Sequence, residues 1–138
     1  MIGIIDYGMG NINSVANGII RAGGKVKIVS QPNELYDCSA LVLPGVGAFA
    51  QAMENLNKVD LINPIKEIVN EGKPILGICL GMQLFAEYSE EFGLTKGLGL
   101  VEGGVVKIPE ASRIRLPHMG WNEVKQLNNG DNVLFKGV

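Results

Sequence analysis

Short apolar runs alternate with segments of helical spacing along the first two thirds of the chain. The runs Ile2 to Asp6 and Ala40 to Leu43 are almost wholly apolar, which is typical of strands that are buried on both faces. Between Ser14 and Ala22 the apolar residues recur at the spacing of an amphipathic helix, and Gly23-Gly24 ends the segment. Strands of this kind joined by helices predict an α/β fold, with a mostly parallel sheet and helices on both faces.

The alternation continues to the middle of the chain and then changes. Residues 49–56 have helical spacing, and Asn63-Pro64 resembles a helix start with proline at the first helical position. The run Pro74 to Ile78 predicts another buried strand. Beyond it, the strand-like residues 99–108 and 121–125 have no helix between them. We therefore expect these two segments to be hairpin-like additions to the edge of the sheet.

The pentapeptide Gly77-Ile78-Cys79-Leu80-Gly81 follows a predicted strand and precedes a helix-like segment, Met82 to Glu87. A G-x-nucleophile-x-G motif in this context forms a nucleophile elbow, in which the central residue occupies a tight turn. The flanking glycines are needed because a Cβ on either one would collide with the neighbouring strand or helix. Cys79 is therefore the candidate nucleophile.

Two other glycine-rich segments follow predicted strands, Asp6 to Asn11 and Pro44 to Gly47. In open α/β sheets, sites form at the carboxyl ends of the strands. We therefore expect both segments to meet the Cys79 turn in space. Gly45 and Gly47 flank Val46, so the Val46 peptide is able to rotate at little steric cost.

Length, charge and apolar content narrow the class of protein. The 138 residues fit one domain over positions 1–138, and a formal charge of −2 without a basic patch gives no support to nucleic-acid binding. The chain has no secretory signal and no apolar stretch near the roughly 20 residues that span a membrane, so we expect a cytoplasmic protein. Its two cysteines fit a reducing compartment, and we expect Cys38 to be a passive residue.

Neither a metal nor a nucleotide cofactor is expected. One histidine and two distant cysteines provide no ligand cluster. The segment Gly8-Met9-Gly10 is similar to a dinucleotide fingerprint, but Asn13 stands where the third glycine would fall. Val29-Ser30-Gln31 also lacks the acidic residue that would bind a ribose at the end of the second strand.

Four stretches of the chain together resemble the class I, triad-type glutamine amidotransferases, and most closely those of histidine biosynthesis. They are Asp6 to Asn11, Leu43 to Phe49, the elbow through Gln83, and Pro117 to Asn122. The resemblance implies a flavodoxin-like sheet that lacks its C-terminal strands within this chain. It also implies that Cys79 forms a γ-glutamyl thioester with glutamine and releases ammonia. A (β/α)8-barrel cyclase subunit, bound as a heterodimer, would use that ammonia on a ribonucleotide.

The resemblance also assigns roles to individual residues. The backbone N–H groups of Val46 and Leu80 would hold the oxyanion, and Gly47 and Gln83 would line the glutamine pocket. Gln83 lies four residues beyond Cys79, so on a helix it faces the same way. Asn11 and Trp121 are candidates for the interface with the barrel partner. For Trp121, a place in the core is an equally good interpretation.

The catalytic histidine and glutamate are the missing parts. The resemblance places them in a His-Pro-Glu segment beyond residue 138, and His118 occupies a different position of the family pattern. We therefore expect a single domain that is incomplete at its C-terminus, and weak or absent glutaminase activity from this chain alone. Three explanations for the absent histidine and glutamate remain open. The chain is part of a longer protein, it is a natural short form, or a second polypeptide supplies both residues.

Three other functions remain possible on the sequence. A different hydrolase with a cysteine elbow would share Cys79 and its oxyanion donors. A non-catalytic docking module for the barrel partner would keep Trp121 and Asn122 but hydrolyse nothing. An amidotransferase of surface-polysaccharide synthesis would use a similar barrel partner.

Overall fold

Four parallel strands form the main sheet in the order β2-β1-β3-β4. Their bounds are β1 Ile2–Ile5, β2 Val26–Val29, β3 Ala40–Gly45 and β4 Ile75–Cys79. This is the flavodoxin-like strand order, in which β2 lies on one side of β1 and the later strands β3 and β4 lie on the other side. The computed structural model describes residues 1–109, 116–123 and 125. The chain divides into two units, Met1–Lys107 and Ile108–Val138, and the sheet lies in the first.

Helices cover the sheet from both sides, which confirms the predicted α/β architecture. They are α1 Ile12–Arg21, α2 Phe49–Lys58, α3 Ile62–Asn70 and the short α4 Leu80–Gln83. The buried side chains of α2 and α3 pack against one face of the sheet and form the core with alternate residues of the strands. Examples of this packing are Leu56 and Ile65 from the helices, with Ile5 and Leu43 from the strands.

The opposite face is only partly covered in the described part of the chain. Helix α1 has no fully buried residue, although its spacing is strongly amphipathic. An apolar groove of about 430 Å³ lies between α1 and the residues of β3 and β4 that point to this side. Ile28, Leu76 and Ile78 on this face are 49%, 44% and 38% exposed.

A separate sheet of three short strands follows α4 along the chain. The strands are β5 Tyr88–Ser89, β6 Thr95–Lys96 and β7 Gly104–Val105, in the order β6-β5-β7. The prediction that residues 99–108 extend the main sheet is therefore wrong. Gly99 and Gly103 have positive φ values of 62° and 99°, so the chain turns at both positions instead of continuing as one strand. In the second predicted segment, residues 121–123 and 125 form no strand, and Val124 lies outside the described residues.

Two helix bounds also differ from the expectation. Helix α3 is capped by Leu61 instead of Asn63, and Pro64 lies within its first turn. Proline is tolerated there because the first N–H groups of a helix have no partner within it. Helix α4 ends at Gln83, and the N–H groups of Phe85 and Ala86 each bond the carbonyl three residues earlier. These tighter turns end the helix before the predicted Glu87.

None of the helices in the described residues has the length and apolar content that a bilayer crossing requires.

Candidate active site

Cys79 is the last residue of β4 and directly precedes α4. Its backbone has φ 55° and ψ −119°, a conformation that non-glycine residues rarely adopt. The side chain is exposed. A strained residue between a strand and a helix, with an exposed thiol, has the geometry of a nucleophile elbow.

The two flanking glycines make this turn possible for the steric reason that the motif suggests. A Cβ on Gly77 would lie 2.7 Å from the backbone nitrogen of Met82. A Cβ on Gly81 would run into the carbonyl oxygen of Leu43 on the neighbouring strand. Any larger residue at position 81 would therefore push α4 away from β3.

The end of β3 lies directly beside the elbow. Gly45 is the register partner of Cys79, so the two residues lie on neighbouring strands about 4.8 Å apart. Val46 and Gly47 follow Gly45 as exposed residues, and Gly47 has φ 102°, which favours glycine. The structure thus brings the Val46 peptide, the Leu80 peptide and the Cys79 thiol into one neighbourhood.

The loop after β1 packs against the same segment of β3. The Tyr7 hydroxyl donates a hydrogen bond of 2.9 Å to the carbonyl of Pro44, and burial raises the pKa of Tyr7 to about 12. A Cβ on Gly10 would lie 3.2 Å from the Pro44 ring, and a Cβ on Gly47 would lie 2.9 Å from the methyl group of Met9. The three glycine-rich segments therefore meet at the carboxyl end of the sheet.

A cleft of about 440 Å³ borders this site on the side of Gln83. Its lining residues are Gln83, Glu90, Glu91, Phe92, Val105, Val106 and Lys107. Cys79 is not among them, and Gln83 is the lining residue that belongs to the helix directly after Cys79. The volume lies within the range of roughly 300–1,000 Å³ that is common for small-molecule pockets.

Glu91 is a residue that the sequence analysis missed. Its Oε2 accepts a hydrogen bond of 2.8 Å from the backbone N–H of Phe49, the first residue of α2. Glu91 therefore lines the cleft and also satisfies one of the free N–H groups at the start of α2. The sequence carries no local signal for this role, since the two residues are 42 positions apart.

The two candidate interface residues lie in different units. Asn11 caps α1, because its Oδ1 accepts a hydrogen bond of 3.1 Å from the N–H of Ser14, and its side chain is otherwise exposed. Trp121 belongs to the second unit, and its side chain is exposed. Within that unit, His118 Nε2 lies 3.1 Å from Asn122 Nδ2.

No group of three or more acidic, histidine or cysteine side chains within the described residues is arranged to hold a metal ion. Cys38 is buried in the core, where its thiol lies 3.5 Å from the carbonyl of Glu34.

The parallel sheet and the strained Cys79 turn define an α/β protein with a cysteine nucleophile elbow. The chain belongs to the family "Glutamine amidotransferase class-I", whose pattern it matches over residues 3–138.

Curated relatives carry a more specific name. The chain is 54% identical over 126 residues to "Imidazole glycerol phosphate synthase subunit HisH" of Prochlorococcus marinus, a match that covers 91% of this chain and 59% of that protein. It is 51% identical to the hisH subunit of Cyanophora paradoxa, which covers 99% of this chain and 63% of the relative. A HisH 1 subunit of Campylobacter jejuni is 46% identical, with 100% of this chain and 68% of the relative covered. The chain thus spans about three fifths of the length of the first two relatives.

A solved structure shares the fold. It is described as "Crystal structure of glutamine amidotransferase" and superposes with a TM-score of 0.68 at 20% identity. The match covers 82% of this chain and 59% of that one.

We predict that Gly81→Ala disables the elbow. The added Cβ meets the Leu43 carbonyl, so the variant should lose about 1–3 kcal/mol of unfolding free energy through overpacking. Alkylation of Cys79 by iodoacetamide should also slow, since the turn that exposes the thiol is displaced. Urea denaturation and peptide mapping by mass spectrometry measure the two effects.

Gly18→Ala is the matched control, because a Cβ at this position of α1 meets nothing within 4 Å. It should keep the labelling rate and gain up to about 1 kcal/mol from the helix propensity of alanine. Wild-type stability and labelling in Gly81→Ala would contradict the steric account of the elbow.

Proposed function

We propose that this chain carries the nucleophile and the oxyanion donors of a glutaminase. The observation that carries the proposal is the strained Cys79 turn, which lies beside Gly45 at the edge where three glycine-rich segments meet. The family to which the chain belongs, and the names of its relatives, support glutamine as the substrate.

Cys79 performs the first chemical step. Its thiolate sulfur attacks the side-chain carboxamide carbon of glutamine, a C–S bond forms, and the carbonyl electron pair moves to oxygen. The N–H groups of Val46 and Leu80 bind this oxyanion, and such donors contribute about 3 kcal/mol each in comparable enzymes. When the intermediate collapses, the C–N bond breaks, and the nitrogen leaves as ammonia after taking up a proton. Water then hydrolyses the γ-glutamyl thioester and releases glutamate.

The cleft beside Gln83 holds the rest of the substrate. Two acidic residues, Glu90 and Glu91, line it together with one basic residue, Lys107, and this acidic excess suits the α-ammonium group of an amino acid. Gly47, in an exposed turn at the end of β3, lets the backbone approach the ligand closely. Gln83 lines the cleft, which is consistent with the pocket role that the family resemblance gives it.

The general base comes from outside residues 1–138. The one histidine of the chain, His118, belongs to the second unit, and the Pro-His-Met-Gly-Trp-Asn segment that contains it has another position in the family pattern. Acid–base help of this kind typically contributes a factor of about 10²–10⁴ in rate. The chain alone is therefore a weak or inactive glutaminase.

The ammonia passes to a (β/α)8-barrel cyclase subunit that produces imidazole glycerol phosphate and AICAR, in a cytoplasmic heterodimer. The support for this step is that the relatives are named as subunits of imidazole glycerol phosphate synthase. Those names favour histidine biosynthesis over a polysaccharide pathway. Asn11 in the first unit and Trp121 in the second are each a candidate for contact with the barrel.

A glutamine-like diazoketone tests the substrate assignment. It should label Cys79 once and leave Cys38 unmodified, because only Cys79 is exposed. Excess glutamine should suppress the labelling, and Cys79→Ala should abolish it. The control reagent is a diazoketone of the same length without the amino-acid group, which should react at least 10-fold more slowly. Equal rates for the two reagents would instead favour a different cysteine hydrolase.

A binding measurement tests the partner surface. Trp121→Ala should weaken binding to the cyclase barrel by about 10-fold or more, since exposed tryptophans often dominate interfaces. Phe92→Ala removes another exposed aromatic side chain that has no assigned interface role, and it should bind like the wild type. The same affinity for all three proteins, measured by calorimetry, would remove Trp121 from the interface.

A further inference from the structure

The hydrogen bond between Tyr7 and Pro44 has no role in the chemistry described so far. Tyr7 follows β1 and is 4% exposed, and its ring packs in the main core. Its hydroxyl reaches across to the carbonyl of Pro44 at 2.9 Å. A buried tyrosine hydroxyl needs a partner, but the partner here is the backbone of the segment that leads to Val46.

The main-chain ladder between β1 and β3 does not extend to Pro44. The ladder between β1 and β3 ends at the pair Ile4 and Val42, whereas β3 continues to Gly45. Pro44 lies two residues beyond the last β1 partner, and it has no N–H of its own to contribute to a ladder. The Tyr7 hydroxyl therefore links the chain after β1 to β3 beyond the point where the ladder between these two strands ends.

The same hydroxyl lies against Gly45. A Cβ at Gly45 would lie 2.7 Å from the Tyr7 oxygen and 2.8 Å from the Gly81 nitrogen, so only glycine allows this approach. The Pro44 carbonyl belongs to the peptide before Gly45, and the Val46 N–H belongs to the peptide after it. Because the two peptides share the Gly45 backbone, holding the Pro44–Gly45 peptide in place restricts the orientations that the Gly45–Val46 peptide can adopt.

We propose that Tyr7 is a positioning residue for the oxyanion donor: its hydroxyl holds the Pro44–Gly45 peptide so that the Val46 N–H points to the reacting carbonyl. This inference rests on the proposed function, since it assigns a support to the donor of that same site. Tyr7 itself touches neither substrate nor thiol in this role.

The test uses Tyr7→Phe, which removes the hydroxyl and keeps the buried ring. Tyr36→Phe is the matched control, because it removes a hydroxyl that donates a surface hydrogen bond of 3.0 Å to Glu67. Both variants and the wild type are treated with a chloroketone analogue of glutamine and, separately, with iodoacetamide. Modification of Cys79 is followed by mass spectrometry over a range of reagent concentrations.

The two reagents differ in their need for an oxyanion. The thiolate adds to the ketone carbon of the chloroketone, and the carbonyl electron pair becomes an oxyanion. The sulfur then bonds to the neighbouring carbon as chloride leaves with the C–Cl electron pair, and the first C–S bond breaks as the oxyanion re-forms the carbonyl. With iodoacetamide the sulfur displaces iodide directly, and no oxyanion forms.

We expect Tyr7→Phe to lower the limiting rate with the chloroketone about 10-fold, which is less than the 10²–10³ lost when a donor is deleted. The half-saturating concentration and the iodoacetamide rate should stay within about twofold of the wild type, as should every rate of Tyr36→Phe. An unchanged limiting rate in Tyr7→Phe, or an equal fall with both reagents, overturns the proposal.

The amide signals of Val46 and Gly47 in a nitrogen-15 NMR spectrum provide a readout that does not depend on glutamine chemistry. They should shift in Tyr7→Phe and not in Tyr36→Phe, and unshifted signals in both variants count against the proposal. If the rate of Cys79 modification in the wild type neither saturates with the chloroketone nor falls in the presence of glutamine, the proposed function is overturned instead. The amide signals then still decide whether Tyr7 positions the Val46 peptide.

Discussion

The close approach of the Cys79 turn to the end of β3 is the contact on which the whole site depends. Gly81 lies against the Leu43 carbonyl, and Gly45 lies against the Gly81 nitrogen, so neither position has room for a side chain. This contact sets the distance between the Cys79 thiol at the end of β4 and the Val46 peptide, the proposed oxyanion donor, after β3. The contact therefore requires glycine both in the elbow and in the Pro-Gly-Val-Gly segment.

The two halves of the site differ in how firmly they are held. Leu43, Leu80 and Leu84 on either side of the contact are at most 2% exposed, so the elbow is built on the packed core. Val46 is 55% exposed and lies between two glycines, one of which has φ 102°. The packed Cys79 turn therefore lies beside an exposed Val46 peptide, and the proposed role of the Tyr7 hydrogen bond is to hold the chain just before that peptide.

Sequence reasoning succeeded where one local pattern decides the structure. The strands of consecutive apolar residues, the elbow around Cys79 and the meeting of the three glycine-rich segments follow from residue types and from the geometry of parallel sheets. Its errors were at short elements. Strands β5 and β7 have two residues each, which is too few for a period, and tight turns end α4 after Gln83.

Some site features depend on contacts between distant parts of the chain. The hydrogen bonds from the Phe49 N–H to Glu91 and from the Tyr7 hydroxyl to Pro44 join residues 42 and 37 positions apart, so no local motif predicts them. Asn11 was proposed for an interface, and the structure shows that its side chain caps α1. Those two functions are compatible, because an exposed cap is also able to contact a partner.

Glutamate release from glutamine tests most directly whether residues 1–138 hold the nucleophile and donors but not the base. The chain alone should release glutamate at the background rate of its Cys79→Ala variant. Joining it to the remaining length of a relative, such as the Campylobacter jejuni subunit, should raise the rate by about 10²–10⁴. Rapid release by the chain alone that depends on Cys79 would show that it contains its own base, and would contradict the account.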